Sequence, residues 1–460
     1  MPFSLPLLAT LLLLAPEADA HGIWGHVHVT GWAVENMPDD DLRAFLLEPE
    51  VFNALLFGAA FTDSGYSSPV AASRAYSEHT HWEPFVADYI EWIRVNDPPP
   101  WTSLESKKRV AFLMGCASHG FQDSVFDSIF LYQVEEHDGA GQTEADPATD
   151  GFLVMDEHVR FVPEQDLPMD TLLELYQVLD EDVTEDVILS SVALMTGFYV
   201  NDSVGQDIAA SLGEGLVDEL PWTRTHYMDP EVPGSLRSEI FPTMHHQQAI
   251  WARLNGEFDA NDATIYTFPE APRRLLSGDN TSTSSWASLM FGAGVRYEAD
   301  MFELTGPDGP VAFQQKNTRW GADFTRVVRV LPEEPLAEGA WYTLRLSPGV
   351  ELIDGATSTE AFELSFQVEC GAGVGSECED LGDIDVARID GVLAFDGKAN
   401  GPGKVDDEKG CGCATTTPVG TLGLLLTLGL LIRRREPRRP GHPNLLRIRR
   451  RRRGRGRSRG

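Results

Sequence analysis

Cysteine is scarce in this sequence, and so are basic residues outside its C-terminal end. The five cysteines among 460 residues are too scattered for more than a local disulfide. In an exported protein Cys370 and Cys378 are placed to close a small loop, whereas Cys116 is predicted to be a buried thiol. Residues 433–460 carry 14 arginines and one glutamate, which leaves 22 basic against 70 acidic residues elsewhere, a net charge of −48. Such a charge disfavours nucleic acid and anionic lipid as partners of most of the surface.

Histidine is missing from much of the chain, and no apolar run is clearly long enough for a membrane-spanning helix. No histidine lies between residues 247 and 441, so a site built on imidazole ligands must belong to the first half. The apolar run at residues 419–432 has 14 residues. Even counted from Ala414, it barely reaches the ~20 residues that a transmembrane helix needs.

The first 20 residues lack Lys and Arg but otherwise follow the pattern of a secretory signal peptide. An apolar stretch ends in Ala18, Asp19 and Ala20, which together form an A-x-A type cleavage site. We therefore expect an exported protein whose mature chain begins at His21.

The segment VAFLMGCASHGFQDSVFDS, residues 110–128, has the composition of a buried helix but carries polar side chains on one stripe. His119, Asp123 and Asp127 follow each other at intervals of four, so they project from one helix face. Buried carboxylates need compensation. Two explanations stay open at this point. Either His119 and Asp123 pair with each other and with nearby donors, or this face holds a metal ion, as in helical metalloenzymes.

The periodicity of apolar residues changes near Asp262. Before it, amphipathic stretches with helical periodicity are separated by Pro, Gly and Asp, which predicts an all-α domain over residues 21–262. Residues 263–370 consist of short alternating runs and turn dipeptides, which predicts an all-β sandwich. The stretch RVLPEEPLAEGAWYTLRLSPGVELIDG resembles bacterial Ig-like modules of surface proteins. That resemblance implies a spacer or adhesive module, so the predicted protein is multidomain, helical first and Ig-like second.

Three segments of unusual composition follow. Residues 371–410 are acidic and Gly-rich, and are predicted to be a linker. Residues 411–435 combine a Cys pair, the apolar run and an Arg cluster, and resemble the C-terminal surface-sorting tails of myxobacteria. This resemblance implies membrane anchoring at the cell surface, with release into the medium as a further outcome. The Arg-rich residues 436–460 extend beyond the pattern, and we expect an overextended gene end, with a nucleic-acid-binding tail as the alternative.

Four stretches of the first half carry candidate metal ligands in order: HGIWGHVHV, FTDSGY, HTHWEPF and GCASHGFQD. Together they resemble the zinc-dependent phospholipase C family, which includes the catalytic domain of glycosylphosphatidylinositol-specific phospholipase D. The resemblance covers roughly residues 22–158, with a helical continuation to Asp262. It implies an all-α fold with two or three zinc ions at the bottom of a cleft. The zinc ligands that it implies are His26, Asp63, His81, His119 and Asp123.

Asp127 departs from that family. The family usually has a histidine here, four residues after the helix aspartate. Asp127 is still able to ligate zinc, so we include it among the predicted ligands, although the exchange can alter metal affinity or remove one ion. The later ligands of the family have no clear counterpart, and the candidates are His137, Asp150, Asp156 and His158.

Asp63 is predicted to lie on a loop, and we assign it as ligand or general base because a loop carboxylate can face water as well as metal. His28 and His79 are expected behind the ligands or at the rim. The leading hypothesis is an exported, surface-anchored zinc hydrolase that cleaves a phosphodiester, with a phospholipid head group as substrate. A single-strand zinc nuclease is an alternative that the acidic body argues against. A non-catalytic surface adhesin is the third, and Asp127 favours it.

Overall fold

The structure, a computed structural model, describes residues 22–38, 40–197, 204–230, 232–257, 262–268, 274–275, 287–317, 324–337, 339–368 and 391–396. The predicted signal peptide, both cysteines of the predicted disulfide, the sorting tail and the Arg-rich extension lie outside these residues, as does most of the predicted linker. Those assignments stay predictions, except that residues 391–396, inside the predicted linker, form a strand that pairs with residues 262–265 of the β region, so the linker prediction does not hold for them. Among the described residues, no helix combines the length and the apolar character that crossing a bilayer requires.

The described part of residues 22–257 is helical, as the periodicity of the sequence predicts. Its α-helices, in chain order, are α1 (Ile23–Asn36), α2 (Asp41–Leu46), α3 (Pro49–Phe61), α4 (Ala71–His81), α5 (Glu83–Asn96), α6 (Leu104–Val125), α7 (Leu131–His137), α8 (Gln142–Met155), α9 (Met169–Leu175), α10 (Glu185–Met195), α11 (Val204–Leu216), α12 (Pro221–His226) and α13 (Ile240–Asn255). A 3₁₀ turn (Thr62–Ser67) follows α3, and a π-helical segment (Phe126–Phe130) follows α6.

Helix α6 is buried from Val110 to its end. It packs so closely against α3 that Gly58 of α3 and Gly115 of α6 have no room for a side chain. A Cβ atom on Gly115 would lie 2.0 Å from the Leu55 carbonyl oxygen. A Cβ atom on Gly58 would lie 2.2 Å from the Phe112 carbonyl oxygen. Glycine at both positions therefore lets the two backbones approach, because any side chain would push the helices apart.

From Asp262 onward the described residues form strands, and the predicted helical-then-β order is confirmed. The strands are β1 (Asp262–Phe268), β2 (Arg274–Leu275), β3 (Ala287–Arg296), β4 (Phe302–Gly306), β5 (Gly309–Pro310), β6 (Phe313–Lys316), β7 (Thr325–Pro332), β8 (Trp341–Leu346), β9 (Glu351–Leu352), β10 (Thr357–Ser358), β11 (Phe362–Val368) and β12 (Gly391–Asp396).

These strands form two sheets. One has the order β1-β12-β10-β9-β3-β7-β6, and the other has the order β2-β11-β8-β4-β5. The pairings between the described strands are antiparallel except for the short β2, which runs parallel to β11. Alternate residues of β4, such as Phe302 and Leu304, are buried, whereas those between them are exposed, which is the pattern of a sheet with one face in the core. The result is a sandwich.

The helical region and the sandwich share buried apolar surface. Phe121 and Val125 of α6 and Ile129 of the π-helical segment cluster with Met290 of β3 and Val327 of β7. All five side chains are at most 4% exposed. The end of α6 that carries the polar stripe therefore lies against the sandwich.

Candidate metal centre

Five of the six predicted ligands converge on one buried position from four separate segments. His26 comes from α1, Asp63 from the 3₁₀ turn after α3, His81 from the last residue of α4, and His119 and Asp123 from α6. Each of the five is at most 5% exposed. The fold thus joins residues up to 97 positions apart, as the contact between His26 and Asp123 shows.

Asp123 lies at the centre of the cluster. Its Oδ1 is 3.0 Å from His26 Nε2, and its Oδ2 is 3.3 Å from the Nε2 atoms of both His81 and His119. The two oxygens of one carboxylate therefore face different imidazoles. This arrangement allows Asp123 to serve two neighbouring cations, one on each side.

Asp63 faces the imidazoles of His81 and His119. Its Oδ1 is 3.2 Å from His81 Nε2 and 3.5 Å from His119 Nε2. The ligand atoms form two groups, His26 with His119 and Asp123, and Asp63 with His81 and His119, and within each group the atoms lie within 4.8 Å of one another. Atoms bound to one zinc ion at about 2.0–2.2 Å are necessarily this close together.

Two of the imidazoles are oriented by backbone carbonyl groups. His81 Nδ1 donates to the Ser77 carbonyl oxygen at 2.6 Å, and His119 Nδ1 donates to the Ala59 carbonyl oxygen at 2.5 Å. A proton on Nδ1 leaves Nε2 with a lone pair, and both Nε2 atoms point at carboxylates. Metal-binding histidines are held in the same manner. The close approach of α3 and α6 is what brings Ala59 within reach of His119.

The third imidazole is oriented by a side chain that the sequence analysis did not identify. Gln122 accepts a hydrogen bond from His26 Nδ1 at 2.9 Å through its Oε1, and its Nε2 donates to the Thr30 hydroxyl at 3.0 Å. The amide is therefore fixed with its oxygen toward the ring, which leaves His26 Nε2 directed at Asp123. The position of Gln122 next to Asp123 does not by itself indicate a contact with His26, because that contact depends on how α1 packs against α6.

The charges of the cluster demand a positive charge at its centre. Burial by itself lowers the pKa of His119, but Asp123 and Asp63 outweigh burial and raise it to about 10. Burial also raises the pKa of both aspartates, yet the facing imidazoles, His119 foremost, hold each pKa below its usual range. Two carboxylates in a dry site are stable only beside a cation, either a protonated imidazole or a metal ion.

The donor set fits a metal ion better than it fits hydrogen bonding alone. The described contacts give neither His119 Nε2 nor the two oxygens of Asp123 a hydrogen bond of normal geometry. The rings of His26 and His119 are stacked with centroids 3.5 Å apart, an arrangement in which two positively charged rings would repel each other. Neutral imidazole and carboxylate ligands are the mixture that zinc prefers.

Asp127 belongs to neither group of ligands. It lies in the π-helical segment, where the wider turn changes the direction of side chains relative to α6. Its Oδ1 accepts a hydrogen bond from Gln142 Nε2 at 3.1 Å. The structure therefore places Asp127 apart from the other five, and its role as a ligand stays a prediction.

Among the later candidates, Asp150 is the one that reaches the first helix. Its carboxylate accepts hydrogen bonds from the backbone N–H groups of Trp24 at 3.1 Å and Gly25 at 2.8 Å. Burial raises its pKa to about 7, although these two bonds oppose the rise. Asp156 instead pairs with Arg224, and His137 stacks on Trp222. Asp150 thus caps α1 from α8 and fixes the helix that carries His26.

His28 has a structural role behind the ligands. Its Nδ1 donates to the Trp24 carbonyl oxygen at 2.8 Å, and its Nε2 accepts from the backbone N–H groups of Arg160 at 2.6 Å and Phe161 at 3.2 Å. Burial disfavours the charged form of this ring and lowers its pKa to about 4, with Arg160 adding to the fall, although the hydrogen bond to Trp24 opposes it.

We expect His28 to make the fold sensitive to acid. In the unfolded chain its pKa returns to about 6.5, so protonation favours unfolding, and stability is lost as the pH falls from 6.5 to 4. A depression of this size corresponds to about 3 kcal/mol at most. Urea unfolding of wild type and His28→Gln between pH 7 and pH 4 measures it. The variant should lose less stability over this range, and equal losses would contradict the assignment.

Parts of the sequence are similar to characterised proteins, although no protein-family model matches the chain. Phosphatidylinositol-glycan-specific phospholipase D from Bos taurus is 33% identical over 131 residues, a match that covers 28% of this chain and 16% of that protein. The Mus musculus protein is 35% identical over 127 residues, covering 25% of this chain and 15% of the relative. The Homo sapiens protein is 33% identical over 133 residues, covering 28% and 16%. The matched region is therefore about a quarter of this chain and a small part of the length of each relative. Over that region, this chain is similar to a phospholipase.

The solved structures add no argument. The N-terminal part of the bacterial S-layer protein SbsC overlaps with 69% of this chain and 79% of that chain, at 12% identity and a TM-score of 0.18. The S-layer protein rSbsC(31-844) overlaps with 69% of this chain and 46% of that chain, at 12% identity and a TM-score of 0.17. Scores of this size do not indicate a shared fold.

Proposed function

We propose that this protein is an exported zinc hydrolase that cleaves a phosphodiester bond in a phospholipid head group. The observation that supports this most strongly is the buried cluster of three imidazoles and two carboxylates, whose ligand atoms form two groups that share His119. The partial similarity to a phospholipase is compatible with the same chemistry.

The donor set divides into two cation positions in this proposal. His26 and Asp123 belong to one together with His119, and Asp63 and His81 belong to the other, also with His119, while Asp123 Oδ2 faces this second position. Zinc held by these residues would neutralise phosphate oxygens and lower the pKa of a water molecule toward neutrality. Asp63 has the position to accept the proton that the attacking water loses, because it comes from a short turn and not from the helix core. The hydrogen bonds at Nδ1 of the three histidines fix the orientation of their rings, so that each Nε2 faces a carboxylate.

A phospholipid suits the remaining features better than a nucleic acid does. The relatives are named for their action on phosphatidylinositol glycan, and we extend the substrate class to phospholipid head groups in general. The acidic body disfavours a nuclease, since nucleic-acid binding normally needs a basic surface. An Ig-like character of the sandwich and attachment to the cell surface through the C-terminal tail are part of the proposal.

The test is a substrate panel with the full-length protein. Vesicles of phosphatidylinositol and of phosphatidylcholine, a chromogenic phosphocholine ester and single-stranded DNA are offered before and after metal removal by a chelator. We expect hydrolysis of a lipid substrate that chelation abolishes and that Zn²⁺ restores better than Mg²⁺ or Ca²⁺. The product, diacylglycerol or phosphatidic acid, identifies the bond that is cleaved. Cleavage of DNA alone would favour a nuclease, and inertness toward the whole panel at full zinc loading would favour an adhesin.

A further inference from the structure

A buried group of charges connects the sandwich to the candidate metal centre. Glu83, the first residue of α5, is 1% exposed. Its carboxylate is 2.7 Å from Arg253 Nη2 of α13 and 3.3 Å from Arg326 Nε of β7. Arg326 is itself 2% exposed. Burying such a group is costly unless each charge is well matched, so its presence two residues after a predicted ligand, His81, calls for a reason.

Arg326 makes a second contact that reaches the centre directly. Its Nη1 donates to the His81 carbonyl oxygen at 3.0 Å, across 245 positions of the chain. His81 ends α4, and Trp82 after it is extended, with φ −106° and ψ 163°. The last carbonyl groups of a helix have no donor within the helix. A guanidinium at this end satisfies one of them and also complements the negative end of the helix dipole.

The backbone around Arg326 is shaped for this contact. Strand β3 has an irregular register opposite β7 between Met290 and Val295, at the level of Arg326. Gly294 lies within this bulge, and a Cβ atom on it would be 2.6 Å from Glu83 Cβ. Bulges redirect side chains and often occur beside active sites. The bulge therefore lies where β3 packs on Glu83, opposite Arg326, the residue of β7 that contacts the helical region.

A glycine of α6 leaves the space in which Arg326 contacts the His81 carbonyl group. A Cβ atom on Gly120 would lie 2.0 Å from the His81 carbonyl oxygen and 2.9 Å from Arg326 Nη1. Any side chain at this position would separate the two groups. Gly120 directly follows the predicted ligand His119. The same turn of α6 therefore carries the His119 imidazole and leaves room for the Arg326 guanidinium, which binds the His81 carbonyl group.

We propose that Arg326 of the sandwich is a positioning residue of the metal centre, which holds the His81 backbone so that its imidazole faces Asp63 and Asp123. The His81 ring is fixed at Nδ1 by Ser77, but that bond is within α4 and fixes the ring only relative to its own helix. Arg326 ties the end of α4 to β7, beside Gly120 of α6. The sandwich then forms part of the catalytic unit and is more than the spacer that the sequence suggested. This inference rests on the metal binding of the proposed function and not on the identity of the substrate.

The experiment compares two buried arginines of one strand in the full-length protein. Arg326→Met removes the contacts with His81 and Glu83, and leaves Glu83 paired with Arg253. Arg329→Met is the matched control, because Arg329 is 1% exposed and lies over the Tyr132 ring, 3.8 Å from its centroid. Zn²⁺ affinity is measured by chelator competition, the visible spectrum is recorded after loading with Co²⁺, and thermal unfolding tests each variant for folding.

We expect Arg326→Met to weaken Zn²⁺ binding about 10–100-fold, the usual effect of losing a group that orients a metal ligand. Its Co²⁺ spectrum should change, whereas Arg329→Met should keep wild-type affinity and spectrum even where both lose thermal stability. Arg326→Lys should recover part of the affinity, since an ammonium can donate to the His81 carbonyl but cannot reproduce the fork of the guanidinium. This milder variant also serves if Arg326→Met does not fold.

Three results would overturn the inference. Equal affinities and spectra for Arg326→Met and Arg329→Met would show that Arg326 acts only on stability, while zinc-dependent hydrolysis by the wild type would leave the proposed function standing. An Arg326→Lys protein that folds and binds Zn²⁺ no better than Arg326→Met would contradict the role of the His81 contact. A wild-type chain that binds no Zn²⁺ would remove the proposed function together with the inference.

Discussion

Asp123→Asn should lose bound metal from both sides of the centre and should reduce hydrolysis to background. Asp123 is the residue whose two oxygens face three imidazoles at 3.0–3.3 Å, so an uncharged amide, in which NH₂ replaces one of these oxygens, cannot serve both cation positions. Removing one partner from a buried ion pair also costs about 3–5 kcal/mol of stability. Elemental analysis of the dialysed protein and urea unfolding measure the two effects.

Asp127→Asn is the matched control for this change. The two aspartates are four residues apart, and the substitution is the same, but Asp127 accepts a hydrogen bond from Gln142 outside both ligand groups. We expect this protein to keep its metal and most of its activity. A comparable loss of metal in both variants would show that Asp127 is a ligand after all, as its place on the helix predicted.

Asp63→Asn should keep most of the bound metal but lose activity. His26, His81, His119 and Asp123 still offer ligands, whereas a carboxamide cannot accept the proton of the attacking water. Removal of a general base typically costs about 10²–10⁴ in rate. The measurement is hydrolysis of the lipid substrate and the chromogenic ester by both proteins at matched zinc content.

Two outcomes would contradict this role of Asp63. A rate that falls only in proportion to lost zinc would make Asp63 a ligand and nothing more. An unchanged rate at full zinc content would place the general base elsewhere. In that case Asp150, whose pKa is raised to about 7 by burial, would be the next residue to change.

Local patterns in the sequence were enough to predict the helical region, the sandwich and the polar stripe of α6, whereas His26, Asp63 and His81 became candidates only through the resemblance to a family of zinc enzymes. A helix repeats every 3.6 residues and a strand every two, so apolar periodicity separates the two regions without knowledge of their packing. The same rule placed His119 and Asp123 on one face of α6. Charged residues in an otherwise apolar stretch were the signal, because burial of a carboxylate needs a compensating partner.

Tertiary structure decided which partners those residues meet. Gln122 orients His26 only because α1 crosses α6, and Asp150 caps α1 only because α8 packs beside it. Asp127 shares the spacing of the stripe, yet it lies in the π-helical segment and belongs to neither group of ligands. Arg326 reaches His81 across 245 residues through a bulge and two glycines. Periodicity states which face of an element is buried, but the groups that meet on that face depend on contacts between distant segments, which form only when the chain is folded.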